Sequence, residues 1–189
     1  MDVPTTLLSI LAALGLAAAC GFRVFVPLFL VSLAARSGHI GLSEGFAWIG
    51  TTPALVCLGT ATVLEVLAYY VPVVDNVLDS IATPAAVVAG VVVSAAVMTD
   101  IEPWLKWTLA TVAGGGLAAA VQIPTVALRG LSTGTTAGLG NSVVSSGEAV
   151  AAGLFSGFAI FLPLLVPLAA LALVVFAWRR LRRREPAAA

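Results

Sequence analysis

The run TTLLSILAALGLAAACGFRVFVPLFLVSLAA, residues 5–35, contains one charged residue, Arg23. As a single helix it would be roughly 46 Å long, against about 30 Å for the hydrocarbon core of a bilayer. Gly21, Arg23 and Pro27 follow its middle, and each disfavours a regular apolar helix there. The run therefore predicts either one tilted, kinked membrane helix or a span plus a re-entrant half-span, with the break between Gly21 and Pro27.

The rest of the chain is also strongly apolar. Of its 189 residues, 60% are hydrophobic and 10% are charged, and the mean hydropathy is +1.10. Soluble domains are typically about 45–50% apolar and about 25% charged, and one domain of this size cannot bury so much apolar surface. The composition excludes an ordinary soluble protein and predicts an all-α, polytopic membrane helical bundle.

Four more apolar blocks follow the first, at residues 53–71, 84–99, 104–131 and 149–178. Most approach or exceed the length of about 20 residues that a spanning helix needs. The last block is interrupted by Gly153, Gly157, Pro163 and Pro167, so the count is five to six spans. The linkers between the blocks are polar or Gly-rich, at residues 36–52, 72–83, 100–103 and 132–147.

The basic residues are unevenly distributed, with five arginines in residues 179–184. A basic cluster after a membrane helix is typical of a cytoplasmic end that contacts anionic lipids, and this position argues against nucleic acid as a partner. With this tail inside and five spans, the N-terminus lies outside and Arg36 and Lys106 lie inside, as the positive-inside tendency prefers. The sequence thus predicts a transmembrane domain, residues 1–178, and a basic cytoplasmic tail, residues 179–189, with membrane lipids as partners.

The pentapeptide GLAAA occurs twice, at residues 15–19 and 116–120. Each copy is followed by a polar residue and then a proline, namely Arg23 and Pro27, and Gln122 and Pro124. Two interrupted helices in corresponding positions are typical of transporters built from internal repeats. One interpretation is a two-fold internal repeat, and the other is a chance match between Ala-rich membrane sequences.

Four polar side chains lie within or beside the apolar blocks: Arg23, Glu65, Gln122 and Glu148. A charged side chain near the bilayer centre costs at least about 2.5–3.5 kcal/mol, so these groups should face the interior of the bundle. They are candidates for lining a substrate or ion pathway. The alternative is a buried Arg23–Glu65 ion pair that fixes helix packing. In either case these two should pair or share a water-filled cavity.

A second polar cluster, Asp75, Asn76 and Asp79, follows Pro72. The two aspartates are four residues apart and share one face of a helix, where their oxygens are suited to a hard cation. Alternatively, they are acids at a helix N-terminus. No complete ligand set accompanies them, and His39 is the only histidine, so the sequence favours the second interpretation and predicts no metal site.

A stretch rich in glycine and hydroxyl residues, STGTTAGLGNS at residues 132–142, precedes Glu148. The free N–H groups of such a loop can receive an anion at a helix start, with Arg129 at its entrance. The alternative is an exposed loop whose following helix is capped by Asn141 or Ser145. Ser145 and Glu148 have capping-box spacing.

Small residues recur along the blocks, including a GxxxG motif from Gly153 to Gly157. Such faces allow close helix packing, within the chain or between copies in a homo-oligomer. The sequence contains no HExxH motif, and a single histidine cannot supply a paired-histidine site. We therefore expect no catalytic activity and no cofactor.

Several spaced polar residues give the chain a resemblance to a bacterial membrane family, the domain of unknown function 4126. The resemblance depends on Gly21-Phe22-Arg23 with Pro27-Leu28, Ala35-Arg36-Ser37-Gly38, Glu65, Pro72, Asp75, Asp79 and Pro84, and Gly138, Asn141, Ser145 and Glu148. It extends to about Pro163. It implies a bacterial cytoplasmic (inner) membrane protein but no particular activity.

Two functions fit these patterns. One is a small transporter or channel-like permease with a site between interrupted helices, for a lipid or a small anionic solute. The other is a non-catalytic membrane scaffold or accessory subunit, in which the same polar residues only pack helices. A hydrated cavity that reaches Arg23 or Glu65 favours the first, and a dry, closed bundle favours the second.

Overall fold

The computed structural model describes residues 3–136 and 138–165, apart from the side chains of residues 3, 72, 73 and 76. All regular structure in this part is helical, as predicted: α1 Val3–Cys20, α2 Phe25–Arg36, α3 Thr52–Ala68, α4 Pro72–Val97, α5 Pro103–Leu109, α6 Gly116–Thr136 and α7 Asn141–Phe161. A π-helical turn, Ala110–Gly115, joins α5 to α6, and a short 3-10 helix, Ala47–Gly50, precedes α3. The predicted arginine tail, residues 179–189, lies outside the described residues.

The first apolar block is a helical hairpin. Its break lies between Cys20 and Phe25, which confirms the predicted position. Thr5, near the start of α1, and His39, just after α2, line one cavity, so the two helices run in opposite directions. A single kinked helix is therefore wrong for this block. The start of α1 and Arg36 lie at the same end of the hairpin, and not at opposite ends as five single crossings would require.

In the described part of the chain, three helical segments are long and apolar enough to cross a membrane: Val77–Val97, Pro103–Thr136 and Asn141–Phe161. Helices α1, α2 and α3 are apolar but shorter. With 12 residues, α2 is roughly 18 Å long, which is less than the hydrocarbon thickness of about 30 Å. The helices are compatible with a membrane protein, but the predicted count of five to six spans is not confirmed.

Two stretches predicted as linkers are largely helical. Helix α4 begins at Pro72 and continues through Pro84, while α6 extends to Thr136 and α7 begins at Asn141. The polar residues in these stretches predict exposed linkers, and this prediction is wrong for most of both stretches. These residues instead bind one another between helices, which allows a helix to continue through polar sequence.

Helix α4 packs closely against the π-helical turn and α6. A Cβ atom on Gly90 would lie 2.7 Å from the Cβ of Ala118 and 2.8 Å from the carbonyl oxygen of Gly114. The turn after α1 is equally close to α6, because a Cβ on Gly21 would lie 2.6 Å from the carbonyl oxygen of Ala118. The absence of a side chain at Gly21 and Gly90 therefore allows these backbones to approach closely.

The second GLAAA copy, at the start of α6, is not followed by a break. Helix α6 continues through Pro124, and the helical irregularity on this side is the π-helical turn Ala110–Gly115, which precedes the copy. The prediction of two interrupted helices in corresponding positions is therefore wrong for the second half. A proline within a helix removes one hydrogen bond without necessarily ending the helix.

Large apolar side chains also cover the outside of the described bundle. The most exposed include Val56, Val63, Leu64, Leu67, Val88, Val112, Val143, Val150 and Leu154. A lipid-facing surface is expected to have this character. On α7, Cβ atoms added to Gly153 and Gly157 would meet no atom within 4 Å, so the predicted homo-oligomer through small-residue faces stays a prediction.

Candidate functional site

Polar residues from five parts of the chain meet inside the bundle. The turn between α1 and α2, the end of α3, the start of α4, the end of α6 and the first turns of α7 each contribute. We call this group the charge cluster: Arg23, Tyr69, Asp75, Asp79, Arg129, Asn141, Ser145 and Glu148. All of it except Tyr69 was predicted from the sequence, but as three separate groups.

Arg129 of α6 is bound to all three carboxylates of the charge cluster. Its Nε donates to Oε1 of Glu148 at 3.1 Å, and its Nη2 donates to Oε2 of the same residue. Its Nη1 donates to Asp79 at 2.7 Å and to Asp75 at 3.3 Å. The arginine is only 1% exposed. It therefore joins α4 to α7 rather than standing at the entrance of a loop.

Arg23 enters the charge cluster from the turn between α1 and α2. Its Nη2 donates to the carbonyl oxygen of Ser145 at 2.9 Å and to the Ser145 hydroxyl, and lies 3.2 Å from Oε2 of Glu148. Its Nε and Nη1 are buried without a hydrogen-bond partner among the described residues. The break in the first apolar block thus delivers a buried arginine that still has two unused donors.

Tyr69 follows α3 and packs against both arginines. The guanidinium carbons of Arg23 and Arg129 lie 3.8 Å and 4.0 Å from the centroid of its ring. A guanidinium over an aromatic face gains cation–π attraction, which is larger when the charge is desolvated. The sequence signal for this residue was an aromatic pair, Tyr69 and Tyr70, one turn after Glu65.

Asn141 and Ser145 bind other helices instead of capping α7. Asn141 Nδ2 donates to Asp75 at 2.7 Å and to Thr133 at 2.8 Å, and Ser145 binds Arg23. The cap position is Gly140, which makes no side-chain cap hydrogen bond. The predicted caps are wrong because α7 begins several residues earlier than its apolar sequence does.

Glu65 does not pair with Arg23, so the predicted ion pair is wrong. The Glu65 carboxylate accepts hydrogen bonds from the backbone N–H groups of Val24 at 2.8 Å and Phe25 at 3.0 Å. These N–H groups stand at the start of α2, where they lack partners within the helix and carry partial positive charge. Glu65 therefore fixes the same turn that presents Arg23 to Glu148.

Two other predicted site residues stand apart from the described contacts of the charge cluster. Gln122 is buried on α6, about two turns before Arg129, and no hydrogen bond in the described part joins its side chain to the cluster. Asn76 lies on α4, and its side chain is outside the described residues. Among those described, no group of three or more His, Cys, Asp or Glu side chains is arranged to hold a metal ion.

An apolar cavity of about 430 Å³ adjoins the charge cluster. Glu65 and Tyr69 line it, and its largely apolar walls include Leu78 and Ile81. A cavity that reaches Arg23 or Glu65 was the feature expected of a permease rather than of a scaffold. This cavity reaches Glu65, while Arg23 is not among its lining residues.

Ionised in full, the charge cluster contains two positive and three negative side chains. The four most enclosed of these have side chains 0–5% exposed, and Asp79 is 17% exposed. The Oε2 atom of Glu148 contacts Nη2 of both arginines. Chemically, this carboxylate occupies an anion site formed by two guanidinium groups.

Comparison with known proteins gives a family but no solved relative. The family model described as "Domain of unknown function (DUF4126)" matches residues 10–183. No curated protein and no solved structure matches the chain.

Proposed function

The chain belongs to the domain of unknown function 4126 family, and we propose that it is a small membrane permease whose solute pathway passes through the charge cluster. One observation carries the proposal. A short helical hairpin presents a buried arginine, Arg23, to a bridging carboxylate, Glu148, between apolar helices. Charged groups within a membrane bundle are found in substrate and ion pathways. Non-helical backbone at that depth is tolerated where it is buried in protein or lines a water-filled cavity.

The adjoining cavity supports a pathway for a lipid or a small anionic solute. Its apolar walls suit an amphipathic or weakly hydrated molecule, and Tyr69 separates it from the two arginines. The proposal includes no catalytic step and no cofactor.

The same proposal places the chain in a bacterial cytoplasmic membrane. Arg36 and Lys106 both lie at the end of the bundle opposite the charge cluster, where they donate to Thr52 and Ser43. Because basic residues favour the cytoplasmic side, that end is the cytoplasmic one.

A membrane scaffold is the second candidate, and the closure of the charge cluster favours it. Arg23, Arg129 and Glu148 are each at most 5% exposed, and every carboxylate has a partner. A scaffold would keep the cluster closed, whereas a permease must open it to water during its cycle.

We expect a cysteine in place of Ser145 to react with a small, membrane-impermeant thiol reagent, because Ser145 contacts Arg23 in the proposed pathway. The variant Ser145→Cys is made in a Cys57→Ser background, since Cys57 is exposed, while Cys20 is buried. Labelling rates are measured in intact cells and in inverted membrane vesicles.

The matched control is Ser156→Cys, which lies on the same helix and is equally buried but has no contact with the charge cluster. Faster labelling of Ser145→Cys than of Ser156→Cys supports a solute pathway. Equal, negligible labelling of both variants from both sides would instead support the scaffold.

A further inference from the structure

We propose that the Glu148 carboxylate blocks an anion site formed by two arginines and leaves it when it is protonated. A small monovalent oxyanion then crosses together with one proton. This inference rests on the proposed permease function and names its substrate class and its coupling. The oxyanion would take the place of the Glu148 carboxylate when a proton neutralises that group.

The geometry of Glu148 is that of a bound anion. Its Oε2 lies against Nη2 of Arg23 at 3.2 Å and against Nη2 of Arg129, and its Oε1 accepts from Nε of Arg129. Guanidinium groups bind carboxylates and other planar oxyanions through the same paired N–H donors. A solute with similarly spaced oxygens can therefore use the donors that Glu148 now occupies.

Arg23 has further donors available for such a solute. Within the part of the chain that the structure describes, its Nε and Nη1 lack hydrogen-bond partners although the residue is 1% exposed. Burying an unsatisfied donor is unfavourable, so a ligand that supplies an acceptor gains binding free energy there. The Glu148 carboxylate leaves these two nitrogens unsatisfied, whereas an oxyanion that takes its place can supply acceptors to them.

The charge of the site determines the coupling to protons. With all groups ionised, Arg23 and Arg129 face Asp75, Asp79 and Glu148, which gives a formal charge of −1. Protonation of Glu148 brings this charge to zero, and a bound monovalent anion returns it to −1. Entry of the anion without the proton would instead bring the charge to −2. Since uncompensated buried charge is strongly unfavourable, the anion is expected to enter only together with the proton.

The other groups around Glu148 can keep their places during this exchange. Asp75 and Asp79 on α4 bind the opposite nitrogen of Arg129, Nη1, and Tyr69 at the end of α3 lies over both guanidinium groups. Glu65 on α3 is held by backbone N–H groups at the start of α2. Release of Glu148 therefore removes a carboxylate contact from Nη2 of both arginines, while Nη1 of Arg129 stays bound to Asp75 and Asp79.

The test uses purified full-length protein in liposomes that contain a pH-sensitive dye, with nitrate as the probe. We expect an inward nitrate gradient to acidify the lumen without an ionophore, because each anion brings a proton. In the Glu148→Gln variant, which cannot bind that proton, the nitrate-driven acidification should be lost. The Ser156→Ala variant, changed on the same helix outside the charge cluster, should behave as the wild type.

A binding measurement on the detergent-solubilised protein keeps the inference testable if the Glu148→Gln variant does not fold. Nitrate should raise the thermal unfolding temperature of the wild type at pH 5 more than at pH 8. Where Glu148→Gln does fold, nitrate should raise its unfolding temperature equally at both pH values. Nitrate flux without proton movement would contradict the proton-dependent release of Glu148 but would not contradict the proposed permease function. The inference would be wrong if the protein showed neither nitrate flux nor pH-dependent stabilisation by nitrate. The cysteine labelling of Ser145→Cys would then test the permease function separately.

Discussion

Replacement of Arg129 with methionine should lower the free energy of unfolding by about 3–5 kcal/mol, the range for breaking a buried ion pair by removing one partner. Arg129 binds Asp75, Asp79 and Glu148. Methionine keeps much of the apolar stem of the side chain, so the main loss is the guanidinium group. Two of the three carboxylates, Asp75 and Asp79, would then have no arginine bound to them in the described structure.

The measurement is a denaturant titration in mixed detergent micelles, with Arg36→Met as the matched control. Arg36 is an exposed arginine that donates one hydrogen bond, to Thr52. Its replacement should change stability by less than about 1 kcal/mol, as is usual for exposed polar contacts. Similar losses for Arg129→Met and Arg36→Met would show that the carboxylates do not need a buried cation.

An alanine at position 90 should destabilise the chain by about 1–3 kcal/mol, because an extra methyl group in a closely packed contact forces the backbone to move. Its Cβ would lie 2.8 Å from the carbonyl oxygen of Gly114, which belongs to backbone and cannot rotate away. The same titration in mixed micelles measures the effect.

The matched control for Gly90→Ala is Gly116→Ala, also at a helical glycine but with nothing within 4 Å of the added Cβ. There the change should stabilise by about 0.4–1 kcal/mol, because alanine loses less conformational freedom on folding than glycine. The packing account of α4 against α6 would be wrong if the two variants had the same stability.

Local features of the chain were predictable because their physical causes are local. The break after Cys20 follows from Gly21, Arg23 and Pro27, which disfavour a continuous apolar helix whatever surrounds them. The need for buried charges to face the interior likewise follows from the cost of exposing them to lipid. This is why most predicted site residues meet in one cluster.

The pairing of those charges was not predictable, because it depends on chain direction. A kinked first helix would have left Arg23 and Glu65 as the natural partners, whereas the reversal between α1 and α2 turns Arg23 toward Glu148 and leaves Glu65 at the start of α2. The sequence did not predict that residues 132–136 belong to a helix, for a related reason. Polarity alone does not distinguish an exposed loop from a helix whose polar side chains are bound by a neighbour.

The most direct test of the central claim, that the hairpin turn delivers Arg23 to Glu148, is a double-mutant cycle on these two residues. The free energies of unfolding of Arg23→Met, Glu148→Gln and the double variant are measured by the same titration. We expect a coupling free energy of about 0.5–3 kcal/mol, the range for residues in contact, and a smaller one for the parallel cycle with Glu65→Gln. Additive effects of Arg23 and Glu148, together with strong coupling between Arg23 and Glu65, would contradict the account.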